Sequence, residues 1–179
     1  MAGYINLCTK RDNSLNIRQI ALFGVLGALT FGAKVSLSGL PNIEPVSLFV
    51  MVFAAVFGWK ALYPVMLYVV MEILLYGISF WNINYLYVWP ILVAVSVGLR
   101  RCQRAWIWAL VAAAFGLCFG LLCAPVYMVV GGSFSYGIRW WLAGLGFDCT
   151  HAIGNFVMVL ALFAPLRKAL EKLYNGQCR

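Results

Sequence analysis

Residues 100–130 read RRCQRAWIWALVAAAFGLCFGLLCAPVYMVV: three arginines within five positions, then 26 residues without a charge. A helix that crosses a bilayer needs about 20 mostly apolar residues, so Ala105 to Val130 is long enough to span. Basic segments beside a span stay on the cytosolic side, so Arg100, Arg101 and Arg104 mark where this helix starts. The rest of the chain repeats the pattern. Eleven of the 13 Lys and Arg residues lie in the two tails or in short breaks between apolar runs. The exceptions, Lys34 and Arg139, fall near segments that also hold Glu44, Asp148 and His151.

Composition agrees. Hydrophobic residues make up 64% of the 179 and charged residues 10%, and the mean hydropathy is +0.92. A soluble domain has roughly a quarter of its residues charged, so this chain could not cover its surface in water. The net charge of +8 does not indicate nucleic acid, because the cations flank apolar spans and form no continuous basic face. Attraction to anionic headgroups accounts for it. The six cysteines have no CxxC spacing; no metal site or disulfide framework is expected. Lys10, Arg11 and Asp12 precede an apolar run of spanning length, so a cleavable signal is not expected either.

These signals predict an all-α integral membrane protein with six transmembrane helices. The spans run from about Arg18 to Leu37, Val46 to Phe57, Ala61 to Ile78, the aromatic stretch Ser79–Tyr85 on to Leu99, Ala105 to Val130, and Trp140 to Leu166. Residues 1–17 and 168–179 form two tails around a membrane domain of residues 18–167. An even number of crossings puts both tails, Lys60 and the Arg100–Arg104 turn together on the cytosolic side.

Helix pairing in lipid relies on close packing of small residues. Ala21, Gly24, Ala28 and Gly32 make such a row on the first span, and Ala112, Gly116, Gly120 and Ala124 make one on the fifth. Each suits packing inside the bundle or against a partner protein.

Charges within a membrane cost at least ~2.5 kcal/mol each and face an interior or a cavity. Glu44 sits in the loop Pro41-Asn42-Ile43-Glu44-Pro45, within reach of Lys34; the pair either fixes the loop or contacts a ligand. Asp148, His151 and Asn155, at i, i+3 and i+7, share one helical face, with Arg139, Trp140 and Trp141 just before them. That stripe reads as a cavity wall. Glu72 in the third span should face inward. A third cluster, Tyr76, Phe80, Trp81, Asn82, Asn84, Tyr85, Tyr87 and Trp89, is partly an interfacial belt, and its aromatic faces and amides suit a flat ligand.

Several local features resemble the substrate-binding S-component of energy-coupling factor (ECF) transporters, a class of bacterial vitamin importer. They are Arg18-Gln19-Ile20-Ala21 leading into the first span, Leu40-Pro41-Asn42-Ile43-Glu44-Pro45-Val46, Tyr85-Leu86-Tyr87-Val88-Trp89-Pro90, Trp140-Trp141-Leu142-Ala143-Gly144 before Phe147-Asp148, and the Pro165-Leu166 exit. The resemblance implies a multi-pass subunit of the bacterial cytoplasmic membrane that binds a vitamin or precursor in an outward-facing pocket. It implies docking through Ala21, Gly24, Ala28 and Gly32 onto a transmembrane coupling protein served by two cytosolic ATPases. The family pattern is Ala-xxx-Ala; here it is Gly24-xxx-Ala28, which leaves the register open. The substrate-binding residues expected on this basis are Glu44, Asn82, Asn84, Tyr85, Trp89, Arg139, Trp140, Asp148, His151 and Asn155, with no cofactor. The chain has no GxxxxGK[ST] loop, so an ATPase role is excluded. Two alternatives stand beside this: a membrane-embedded enzyme using Asp148 and His151 as an acid–base pair, and an ion-coupled secondary transporter.

Overall fold

The computed structural model describes residues 15–39 and 44–176. Among the described residues all regular structure is helical: α1 (Ile17–Ser36), α2 (Val46–Phe57), a 3-10 turn (Gly58–Ala61), α3 (Leu62–Tyr76), α4 (Phe80–Leu99), α5 (Ala105–Leu117), α6 (Phe119–Val130), α7 (Phe134–Ala143) and α8 (Leu145–Gly176). Five stretches are long and apolar enough to cross a membrane: Ile17–Ser36, Val46–Tyr76, Phe80–Leu99, Ala105–Val130 and Leu145–Gly176.

Within Val46–Tyr76 the chain reverses. Phe23 of α1 meets Phe57 at the end of α2 and stacks on Tyr63 at the start of α3, while Lys34, eleven residues further along α1, reaches Glu72 near the end of α3. Gly58, with φ of 62°, turns the corner; a Cβ in that left-handed conformation is disfavoured. At about 18 Å and 23 Å, α2 and α3 are each shorter than the ~30 Å hydrocarbon core.

The long stretch 105–130 is not one helix. Its ladder breaks at Cys118, whose φ and ψ are −90° and 0°, and α6 starts afresh at Phe119. The expected last span also differs. Trp140 and Trp141 sit on α7, which folds back on α6 with Trp140 stacked on Tyr127 at 3.8 Å between centroids. Gly131 and Gly132, the latter with φ of 65°, break the pattern before the serine cap Ser133. Beyond Leu166 the helix does not stop at a tail but continues to Gly176.

One end of the bundle gathers the basic breaks. Arg167 donates to the carbonyls of Cys102 (3.2 Å) and Arg100 (3.4 Å), satisfying groups that the α4–α5 turn leaves free. Gln19 donates to the Tyr174 hydroxyl at 3.0 Å, so the first turn of α1 and the last of α8 meet.

The two small-residue rows have opposite fates. A Cβ on Gly116 would lie 2.8–2.9 Å from the Ala152 and His151 backbone, and Ala112 is fully buried, so the fifth-span row packs against α8. On α1 the glycine that packs inside is Gly27, where a Cβ would lie 3.0 Å from Leu67 and the Pro64 carbonyl. Ala21, Ala28 and Gly32 are exposed and Gly24 half-buried, with nothing within 4 Å of a Cβ at Gly24 or Gly32.

Candidate functional site

At the end opposite the α1–α8 contact lies a cavity of about 740 Å³. Its walls come from the ends of α1 and α3, the start of α4, the break between α5 and α6, part of α7's C-terminal turn and the first two turns of α8. The break between α5 and α6 and the α7–α8 junction open onto it.

One wall carries charge. Lys34 Nζ lies 3.0 Å from Glu72 Oε2 and donates to the Tyr85 hydroxyl at 3.2 Å. Its ammonium also rests 5.0 Å from the Tyr85 ring centroid and 5.8 Å from that of Tyr68, where the ring faces attract a cation. The lysine's hydrogen-bonded partner is Glu72 rather than Glu44, the acid expected from sequence, which acts on Lys34 through charge alone. Glu44 lines the same cavity. Burial pushes its carboxyl above the ordinary carboxylate range; Lys34 pulls it back down and Glu72 pushes it up. Leu40 to Ile43, the rest of the expected loop apart from Pro45, lie outside the described residues.

The opposite wall is built at the helix break. The Cys118 distortion frees the Gly120 N–H, which donates to Asp148 Oδ1 at 3.0 Å. Asp148 sits in the first turn of α8, so two helix N-termini, each with a partial positive charge, converge on its carboxylate. Gly120 must lack a side chain, since a Cβ there would fall against Asp148. His151 stands one turn below, its ring edge-on to Phe119 at 4.9 Å. Trp141 Nε1 approaches the Asp148 carboxylate without reaching hydrogen-bonding geometry.

Four buried polar atoms on these walls have no hydrogen-bond partner among the described residues: Glu72 Oε1, Asp148 Oδ2, His151 Nε2 and Trp141 Nε1. Leaving such a group unpaired costs about 1–3 kcal/mol each. All four belong to residues that line this one cavity. Between the polar walls the lining is aromatic, with Trp81 and Trp140 tilted together at 6.0 Å and both against Tyr127.

Of the ten residues expected to bind substrate, six line the cavity: Glu44, Asn82, Tyr85, Trp140, Asp148 and His151. Asn82 is already engaged, capping α4 by accepting from Ser79 N and Oγ at 2.6 and 2.9 Å. The other four lie elsewhere. Trp89 is fully buried beneath the site, in a ring stack with Tyr85, Phe115 and Phe119. Asn84 turns toward α6, where the Tyr87 hydroxyl donates to its Oδ1 (2.9 Å) and to the Leu122 carbonyl (2.7 Å). Asn155 donates to Ser47 Oγ and the Ala112 carbonyl, both at 3.2 Å, tying α8 to α2 and α5. Arg139 is exposed on α7 and is not part of the lining. The stripe of Asp148, His151 and Asn155 thus divides: two members face the cavity and the third clamps the bundle.

The expected substrate-binding set left out Lys34, Glu72, Trp81 and Trp141, although Trp81 and Trp141 stood in the clusters read as ligand-facing and Lys34 in the pair with Glu44. For Lys34 and Glu72 the signal was present, since a lone acid in mid-span demands a basic neighbour. Gly120 and Phe119 carried no signal, because a helix break inside an apolar run leaves no mark in composition. Comparison with family models, with curated proteins and with solved structures found no match.

Proposed function

We propose that this chain is the substrate-binding subunit of an ECF-type importer, capturing a vitamin or related micronutrient from outside the bacterial cytoplasmic membrane. The observation that carries this is the cavity, lined by aromatic rings and by four residues with a buried polar atom that has no hydrogen-bond partner among the described residues. Ligand sites have that make-up: mostly apolar lining with a few converging polar groups.

The distribution of charge supports the orientation. The end gathering Lys60, Arg100, Arg101, Arg104 and Arg167 is the cytosolic one by the basic-inside tendency, and the cavity lies at the other. On this reading α1, α2, α3, α4, α5 with α6, and α8 make six crossings, with both termini cytosolic. Cys8 and Cys178 should then resist a membrane-impermeant thiol reagent in sealed cells and react after permeabilisation. Labelling of either in sealed cells would remove the six-crossing topology.

The outer face of α1 supports the partner. Among the described residues nothing lies within 4 Å of a Cβ at Gly24 or Gly32, and Ala21 and Ala28 are exposed; such a face lets a second helix come close. The partner is a transmembrane coupling protein driven by two cytosolic ATPases. Ala28→Trp is expected to leave ligand binding intact and to abolish co-purification with the coupling module. Complex formation at wild-type yield would show that α1 is not the docking helix.

The enzyme alternative fares worse. Asp148 Oδ1 accepts from the Gly120 N–H, and among the described residues no hydrogen bond joins Asp148 to His151, which gives that reading less support.

A further inference from the structure

The walls of the cavity are unequal in charge. Among the described residues they carry three carboxyl groups, from Glu44, Glu72 and Asp148, against one ammonium, from Lys34. That balance opposes the chain as a whole, whose net charge is +8. Lys34 is already committed to Glu72 and Tyr85. Asp148 is 5% exposed, and its Oδ2 has no hydrogen-bond partner among the described residues. A carboxylate so buried is costly unless a positive charge comes to it, and the two helix N-termini with the Gly120 N–H supply dipoles, not a counter-ion.

The aromatic lining points the same way. Trp81, Trp140 and Trp141 stand on the walls beside Asp148 and Glu44, and indole faces attract cations more strongly than other rings do. The rings also offer flat surfaces for stacking.

We infer that the site selects a flat organic cation, a ring system with a positively charged nitrogen that pairs with Asp148 and lies against the tryptophans. His151 Nε2 and Trp141 Nε1 then read the polar edge of that ring. This rests on the transport reading for how the ligand is delivered, while the charge preference belongs to the cavity itself. Neutral and anionic rings of equal size are discriminated against, because they leave Asp148 unpaired or set a second negative charge beside it.

The test uses three ring-matched probes on the purified full chain in mild detergent near neutral pH: N-methylquinolinium, quinoline and quinoline-3-carboxylate. Binding is read as saturable quenching of the cavity tryptophans. N-methylquinolinium should bind tighter than quinoline by about tenfold or more, from its ion pair with Asp148 and the cation–π contact with the tryptophans, and the carboxylate should be weakest. Asp148→Asn, which keeps an acceptor for Gly120, should reduce the cation's advantage over quinoline to near unity. Glu44→Gln, further from the helix break, should reduce it partly and serves where Asp148→Asn does not fold. The inference is overturned if the carboxylate binds as well as the cation, if the cation shows no saturable binding, or if neither substitution changes the ratio. Uptake separates the two proposals. A neutral or anionic vitamin taken up with the coupling module would overturn the charge preference and leave the importer standing. Charge-selective binding with no ATP-dependent uptake would do the reverse.

Discussion

Lys34→Met is expected to lower the stability of the folded protein by about 3–5 kcal/mol, the usual cost of stranding one member of a buried ion pair. The side chains of Lys34 and Glu72 are 16% and 6% exposed, so little solvent reaches the pair. Removing the ammonium leaves Glu72 with one oxygen that already lacks a partner and a second that loses its own. It also releases the Tyr85 hydroxyl on the cavity wall. The double variant Lys34→Met, Glu72→Met should recover most of the loss, because an apolar pair of similar volume is often as stable as a buried salt bridge. Thermal midpoints of the three proteins in one detergent check this. A single variant as stable as wild type would mean that the pair does not hold α1 to α3.

The second large effect concerns a glycine. Gly116→Leu should cost at least as much as the roughly 1–3 kcal/mol of ordinary overpacking. The obstacle is the α8 backbone, 2.8–2.9 Å from where the new Cβ would stand, and backbone cannot rotate aside as a side chain can. The two helices would have to separate, taking with them the Asn155 bond to the Ala112 carbonyl and the stack of Trp108 on Phe163. Gly24→Leu on α1 is the matched control, since a Cβ there meets nothing within 4 Å. Its folded yield and melting temperature should stay near wild type. Equal loss from both substitutions would show that the close approach of α5 to α8 is not what sets the cost, since leucine is the better helix former at either site.

These two cases also mark what was readable in advance. Helical class, the apolar stretches and the clustering of the basic breaks follow from hydropathy and charge, because lipid requires about 20 apolar residues per crossing and satisfied backbone hydrogen bonds. The one-face spacing of Asp148, His151 and Asn155 follows from the helical repeat alone. Which neighbours meet that face does not. Helical period is a property of one segment, whereas partners are chosen by how segments pack. Asp148 meets the broken ladder at Gly120, and Asn155, two turns on, meets Ser47 and an intact α5. Likewise Lys34 had Glu44 ten positions away and Glu72 thirty-eight, and short separation favoured the first. The hydrogen bond goes to Glu72, because α3 runs parallel to α1 and brings its acid to the same height. Sequence determined that these polar groups must be buried and answered. Only the tertiary structure decided which would answer one another and which would be left facing a cavity, since the cost of burying a charge is set by what stands a few ångströms away in space.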